Sequence, residues 1–136
     1  MSQSANTSTR NAPSNIKLHQ RSRLLEISFE SGETFQLPCE YLRVHSPSAE
    51  VRGHGKGQEV LQLDKHNVNI IAVEPVGSYA IRLVFDDAHD SGLFSWDYLY
   101  DLGKERASKW QNYLDALDAA GHTREAQEND RYLSDQ

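Results

Sequence analysis

The chain has 136 residues, a formal net charge of −6 at pH 7 and a single cysteine, Cys39. This length accommodates one domain with a modest core, and the acidic balance argues against nucleic-acid binding, which needs a basic face. No apolar run approaches the roughly 20 residues of a membrane span. One cysteine excludes an internal disulfide and is typical of a reducing compartment. We therefore expect a cytoplasmic protein that binds neither nucleic acid nor membrane.

The N-terminal part predicts a disordered tail followed by a β-hairpin. Residues 1–15 are polar and bury too little apolar surface to offset the entropy lost on ordering. Residues 25–29 alternate apolar and polar side chains, and residues 35–37 resume this alternation after a turn at Ser31-Gly32. Such a period of two is typical of half-buried strands joined by a tight turn.

The middle of the chain predicts a short helix and a second hairpin. A proline immediately before residues 39–44 favours a first helical turn there, with Tyr41 and Leu42 facing inward. A possible short strand over residues 60–63 precedes two apolar runs, residues 68–73 and 79–85. These two runs predict antiparallel strands at the centre of the sheet.

The C-terminal part predicts one long amphipathic helix. Ser95 is a good N-cap, apolar residues recur every three to five positions, and Gly121 is placed to end the helix. Gly103 costs about 1 kcal/mol in a helix, so it indicates a close approach to a neighbouring strand. We predict an α+β domain over residues 16–121, a small antiparallel sheet built from hairpins with this helix packed against it. Residues 122–136 are predicted to be a polar C-terminal tail.

The histidines and the cysteine do not form a recognisable catalytic pattern. None of the six histidines begins a His-x-Asp or His-x-Glu triplet, and no His-Glu-x-x-His, zinc-spaced cysteine pair or Gly-x-Ser-x-Gly motif occurs. Cys39 is better explained as a small core residue than as a reactive thiol. The sequence therefore predicts a protein that is not an enzyme and has no catalytic residues.

Three stretches together resemble a known family. They are Leu37-Pro38 with Tyr41-Leu42-Arg43 and Ser46-Pro47-Ser48, then Val73 to Ile81, and then Asp87 to Trp96 followed by Leu99. Read together, they are similar to the gamma-butyrobetaine hydroxylase-like N-terminal domain, a domain of unknown function, and the similarity spans residues 16 to 121.

The resemblance implies a non-catalytic role. In the carnitine-pathway oxygenases this domain precedes a separate catalytic domain that holds iron and 2-oxoglutarate, and similar domains are attached to carrier proteins of iron–sulfur cluster assembly. The 136 residues here hold no such catalytic domain. We therefore expect a docking module without a cofactor, whose partner is a larger protein in iron–sulfur or oxygenase-related metabolism.

The resemblance also implies a structural zinc site that this chain has lost. The family's three cysteine ligands and one histidine ligand correspond to Ser46, Ser48, Val51 and His89. A tetrahedral zinc site takes four nitrogen or sulfur ligands, and one histidine does not suffice. We expect no metal here, hydrogen bonds of Ser46 and Ser48 in its place, and a bond from His89 to a backbone carbonyl.

Two hypotheses for binding remain open. In the first, a polar, glycine-rich loop contacts a partner protein through Arg43, His45, Arg52 and His54, with His89 as a further partner-binding residue. In the alternative, the protein binds a metal or a small ligand at a site formed by Cys39, His45, His54 and His89.

Overall fold

The computed structural model describes residues 12–53 and 59–134 and confirms the α+β class. The strands are β1 (Pro13–His19), β2 (Leu24–Phe29), β3 (Thr34–Pro38), β4 (Ile70–Val76), β5 (Ala80–Phe85) and β6 (Leu93–Ser95). The helices are α1 (Cys39–Val44), α2 (Ala49–Arg52), α3 (Trp96–Lys104), α4 (Arg106–Ala119) and α5 (Arg131–Ser134), and a 3-10 helix covers Glu128–Asp130.

The strands form two antiparallel sheets of three strands each, ordered β1-β2-β3 and β4-β5-β6. Both predicted hairpins are confirmed, with Leu25 opposite Leu37 in the first and Val73 opposite Leu83 in the second. The sequence predicted one sheet, but the structure has two, and each hairpin is extended by a third strand. β1 pairs with β2, and the three-residue β6, too short to show a period, pairs with β5.

Residues 60–63 do not form the predicted strand. Val60 donates a backbone hydrogen bond to the Val51 carbonyl at 2.8 Å, and the Gln62 carbonyl accepts one from the Tyr113 hydroxyl at 2.7 Å. These bonds lead to a helix and to a side chain rather than to a neighbouring strand, so no ladder is built.

The predicted long helix is two helices, α3 and α4, that meet at Glu105. Its predicted ends are confirmed, since the Ser95 hydroxyl accepts a hydrogen bond from the Tyr98 amide at 3.1 Å and Gly121 has a φ of +79°. The close approach predicted at Gly103 is also confirmed, because the Phe35 ring of β3 lies against it. No helix in the described part of the chain is long and apolar enough to cross a membrane.

The ordered domain extends beyond the predicted boundaries at both ends. β1 begins at Pro13, inside the predicted N-terminal tail, and its Ile16 lies opposite Ile27 of β2. The predicted C-terminal tail is packed on the domain, since Arg124 binds Glu40 and Leu133 is only 1% exposed. A polar segment becomes ordered here because a buried carboxylate and the core give it specific partners.

The core lies between the sheets and the helices. Tyr41 and Leu42 of α1 are fully buried, as predicted, and the Tyr41 hydroxyl donates to the Leu102 carbonyl at 2.7 Å. This bond ties α1 to α3 across the core, and it fixes the start of the segment on which the candidate site lies.

Candidate functional site

The side chains of Ser46, Ser48 and His89 form a buried hydrogen-bonded cluster. His89 Nε2 lies 2.9 Å from Ser46 Oγ and 3.3 Å from Ser48 Oγ. His89 is 4% exposed, Ser46 is 1% exposed and Ser48 is 5% exposed. Within the segment, the Ser48 amide donates to Ser46 Oγ at 3.4 Å. The predicted hydrogen bonding of the two serines is therefore present.

The other ring nitrogen of His89 binds Glu50. His89 Nδ1 lies 2.8 Å from Glu50 Oε1, and because a carboxylate only accepts, Nδ1 donates and Nε2 of the neutral ring accepts from a serine hydroxyl. The predicted bond from His89 to a backbone carbonyl is replaced by these side-chain partners. Burial and the nearby Arg43 charge lower the pKa of His89, although Glu50 opposes this effect.

A glycine makes room for the cluster. An ideal Cβ on Gly92 would lie 2.3 Å from Ser46 Oγ, so no other residue fits here without displacing the serine. The turn that carries His89 therefore approaches Ser46 at two points, through the hydrogen bond of His89 and through the backbone of Gly92.

The donor set of this cluster does not fit the zinc site implied by the family resemblance. Ser46 and Ser48 offer neutral hydroxyls in place of thiolates, and Val51 is a buried aliphatic side chain with no donor atom. His89 is the one nitrogen ligand among the four corresponding positions. Among the described residues, no group of three or more His, Cys, Asp or Glu side chains is placed to hold a metal ion.

Arg43 is a buried structural residue rather than part of an exposed loop. It lies in α1, is 7% exposed, and its Nε donates to Asp87 Oδ2 at 2.9 Å. Lys65 also binds Asp87, at 2.7 Å, and Gln62 accepts from Arg43 Nη1 at 3.0 Å. Burial would raise the pKa of Asp87, but the bonds from Lys65 and Arg43 outweigh it and lower the pKa. Arg43 and His89, both predicted to bind a partner, are only 7% and 4% exposed, so neither side chain lies on an accessible surface.

Cys39 does not share a site with the histidines. Its thiol is buried beside Asn69 Oδ1 at 3.7 Å, whereas His45 Nδ1 binds the Tyr41 carbonyl at 2.9 Å and His89 binds Ser46. Burial raises the pKa of Cys39 to about 12, so the thiol stays protonated. His54 lies outside the described residues. The described members of the alternative metal or ligand site are thus each engaged separately.

His45 and Arg52 do lie together, at an open groove that we call the His45 groove. It encloses about 340 Å³. It is lined by Val44, His45, Ser46, Val51, Arg52, Glu59, Val60, Leu61, Gln62, Tyr98, Tyr113 and Ala116. The lining is mainly apolar, and Val60 is 51% exposed within it. This groove adjoins the hydrogen-bonded cluster through Ser46 and Val51.

Tyrosines hold the walls of the His45 groove in place. The Tyr98 hydroxyl donates to the His45 carbonyl at 2.6 Å, and the Arg52 guanidinium lies 5.3 Å from the centre of the Tyr98 ring. Burial lowers the pKa of His45, so its ring is neutral at pH 7. The sequence analysis missed Tyr98 and Tyr113 as groove residues. The signal that could have identified them is their position beside apolar helix residues, since Tyr98 precedes Leu99 and Tyr113 precedes Leu114.

The fold and this arrangement define a small α+β domain with a buried polar cluster beside an apolar groove. Residues 16–100 match the family model described as gamma-butyrobetaine hydroxylase-like, N-terminal. The chain belongs to this family, and the resemblance seen in its sequence is confirmed.

Solved structures of similar proteins share the fold. Two NMR solution structures are 52% and 50% identical to the chain, each with a TM-score of 0.73. They cover 91% and 88% of this chain, and the chain covers 90% and 94% of theirs. A third similar protein is a DUF971-family protein of unknown function from Acidithiobacillus ferrooxidans, known from a crystal structure. It is 34% identical to the chain, with a TM-score of 0.58, and the match covers 72% of this chain and 97% of that protein's chain. Among curated proteins, none matches the chain.

Proposed function

We propose that this domain is a non-catalytic docking module that holds an apolar segment of a larger protein in the His45 groove. The observation that carries the proposal is the groove itself, about 340 Å³ with a mainly apolar lining and an exposed Val60 at its edge. A contiguous apolar hollow on a protein surface is typical of an interaction site.

The groove favours an uncharged side chain inside and an acidic group at its edge. Burial lowers the pKa of His45, which keeps the ring neutral, and the hydroxyls of Tyr98 and Tyr113 donate to backbone carbonyls. Arg52 is the exposed cation of the lining and Glu59 is its exposed acidic residue, so an acidic group of the partner is expected on the Arg52 side. The partner segment is therefore expected to carry a large apolar residue near an aspartate or glutamate.

The family supports a partner of larger size. Its description names an N-terminal domain of hydroxylase-like proteins, which supports a role for such a domain beside a larger protein. The resemblance favours a partner in iron–sulfur or oxygenase-related metabolism. A non-catalytic role is supported by the engagement of the reactive groups, since the Cys39 thiol is buried and protonated and His89 is held between Ser46 and Glu50.

The proposal is tested with one variant in the groove and one outside it. A tagged chain at native expression level identifies a stoichiometric partner by mass spectrometry, and the purified pair is then titrated calorimetrically. Val60→Glu is expected to weaken binding at least about tenfold, because it places a charge in the apolar groove. Ile71→Glu is the matched control, since Ile71 is 56% exposed on β4 and does not line the groove.

The two variants separate the outcomes. Both positions are exposed, so both chains should fold. Loss of binding in Val60→Glu with retention in Ile71→Glu would support the groove. Equal binding by both variants, or partner release by Ile71→Glu alone, would contradict it.

A further inference from the structure

Three arginines surround a second hollow of about 200 Å³, which shares no lining residue with the His45 groove. Arg21 and Arg23 come from the turn between β1 and β2, and Arg131 comes from α5. The remaining lining residues are Ser22, Gln127, Glu128, Asn129 and Tyr132. We call this hollow the arginine pocket.

The arginine pocket concentrates positive charge in an acidic protein. The chain carries 20 acidic and 14 basic residues, and Arg43, Arg82 and Arg124 each bind a carboxylate. Within the described ranges, in contrast, Arg21, Arg23 and Arg131 form no ion pair with any carboxylate. Three cations therefore face one hollow, and Glu128 is the one acidic residue in its lining.

Arg23 is held in an unusual backbone conformation at this place. Its φ is +57°, which a non-glycine residue rarely adopts. Its carbonyl accepts from the Cys39 amide at 2.9 Å and from Asn129 Nδ2 at 3.2 Å, so both the start of α1 and the C-terminal segment hold the turn. Its Nε is buried and has no hydrogen-bond partner among the described residues. Strained residues with unused donors occur where a ligand is bound.

We infer that the arginine pocket binds the oxyanion group of a small phosphorylated molecule. Arginine forks bind phosphate and carboxylate oxygens through paired hydrogen bonds. The Tyr132 hydroxyl accepts a bond from Arg131 at 3.2 Å, which leaves its own proton available to the anion. The volume is below the range of about 300–1,000 Å³ typical of drug-sized ligands, and it suits a single charged group.

The test is an NMR titration of the full chain at constant ionic strength. Inorganic phosphate is one probe and succinate is the other, so that phosphate and carboxylate ligands are distinguished. We expect saturable shifts at millimolar concentration, confined to the turn at residues 20–23 and to residues 127–132. Arg21→Gln and Arg131→Gln, both at exposed positions, are each expected to weaken binding about tenfold.

Arg82→Gln is the matched control, because the Arg82 side chain is 40% exposed and lies outside the pocket. It should leave the affinity unchanged. Saturation by succinate alone would retain the oxyanion site and overturn its assignment to a phosphate. Shifts that grow linearly or spread over the surface would show nonspecific screening and overturn the site. An affinity that is unchanged in Arg131→Gln would also overturn it.

Discussion

Arg124 joins the C-terminal segment to the core, and its replacement by methionine tests whether that segment belongs to the fold. The guanidinium donates to Glu40 Oε2 and to Asp130 Oδ1, both at 2.7 Å, and lies 4.7 Å from the centre of the Trp110 ring. The side chains of Arg124 and Glu40 are 10% and 5% exposed. Burial would lower the pKa of Arg124, but the bonds to Glu40 and Asp130 outweigh it, and the side chain stays charged.

The expected cost of Arg124→Met is large because Glu40 loses its cation while remaining buried. Breaking a buried ion pair from one side costs about 3–5 kcal/mol. The lost cation–π contact adds about 0.5–2 kcal/mol, part of which the methionine sulfur recovers against Trp110. We expect about 3–6 kcal/mol in total, a large share of the 5–15 kcal/mol typical of a domain. The double variant Glu40→Gln with Arg124→Met should recover part of this loss, since no buried charge remains.

The free energy of unfolding is measured by urea titration followed by tryptophan fluorescence. Arg82→Met is the matched control, because it breaks the Arg82–Glu74 pair, whose side chains are 40% and 45% exposed. An exposed pair contributes about 0–1 kcal/mol. If Arg124→Met costs no more than Arg82→Met, the C-terminal segment is not anchored by this network and the reasoning fails.

Three further predictions concern the buried cluster and the helix contact. Burial is the main cause that lowers the pKa of both His45 and His89. The free energy of unfolding is therefore highest above about pH 6.5, where both rings are neutral in the folded and the unfolded chain. It falls as the pH drops toward the folded-state pKa, by at most about 1.4 kcal/mol per pH unit for each histidine. Urea midpoints between about pH 8 and pH 5 test this, and a slope unchanged in His89→Gln would contradict it for His89. Gly103→Ala places a Cβ 2.5 Å from the Phe35 ring and should destabilise the fold by about 1–3 kcal/mol by thermal unfolding despite the better helix propensity of alanine; a stabilised variant would refute this. Elemental analysis should find no stoichiometric zinc, and zinc that His89→Ala abolishes would contradict the lost-site interpretation.

Local patterns in the sequence predicted the elements that local physics decides. The alternation over residues 25–29 identified β2 because one face of a strand must be apolar. Ser95 identified the start of α3 because its hydroxyl caps a free amide, and Gly103 identified a close contact because it has no side chain. Each of these signals lies within a few residues of the feature that it predicts.

Elements that depend on distant partners escaped prediction. β1 carries Ile16 and Leu18 among polar residues, and it is ordered by its register with β2 rather than by its own pattern. The C-terminal segment is ordered by Arg124, whose partner Glu40 lies 84 positions away. A polar segment of this kind looks like a tail until its buried carboxylate partner is located.

The candidate site shows the same limit. Ser46 and His89 lie 43 positions apart, so their hydrogen bond has no local signal, and the family resemblance alone related these two positions. The resemblance identified the place but not the partners, since the expected carbonyl is replaced by hydroxyls and by Glu50. The His45 groove was found in part through His45 and Arg52, while its tyrosine walls depend on how α3 and α4 pack.

The hydrogen-bonded cluster connects the same two segments that the zinc ion implied by the resemblance would connect, but with weaker bonds. A structural zinc contributes about 10–16 kcal/mol in small zinc-folded peptides, whereas a neutral hydrogen bond contributes about 1 kcal/mol. One hydrogen bond from a serine hydroxyl to His89 Nε2 and one from His89 Nδ1 to Glu50 therefore do not match the metal. The Arg43–Asp87 ion pair adds a second connection between α1 and the turn before His89. Because the segment from Ser46 to Arg52 also forms one wall of the His45 groove, the same hydrogen bonds and ion pair position that wall.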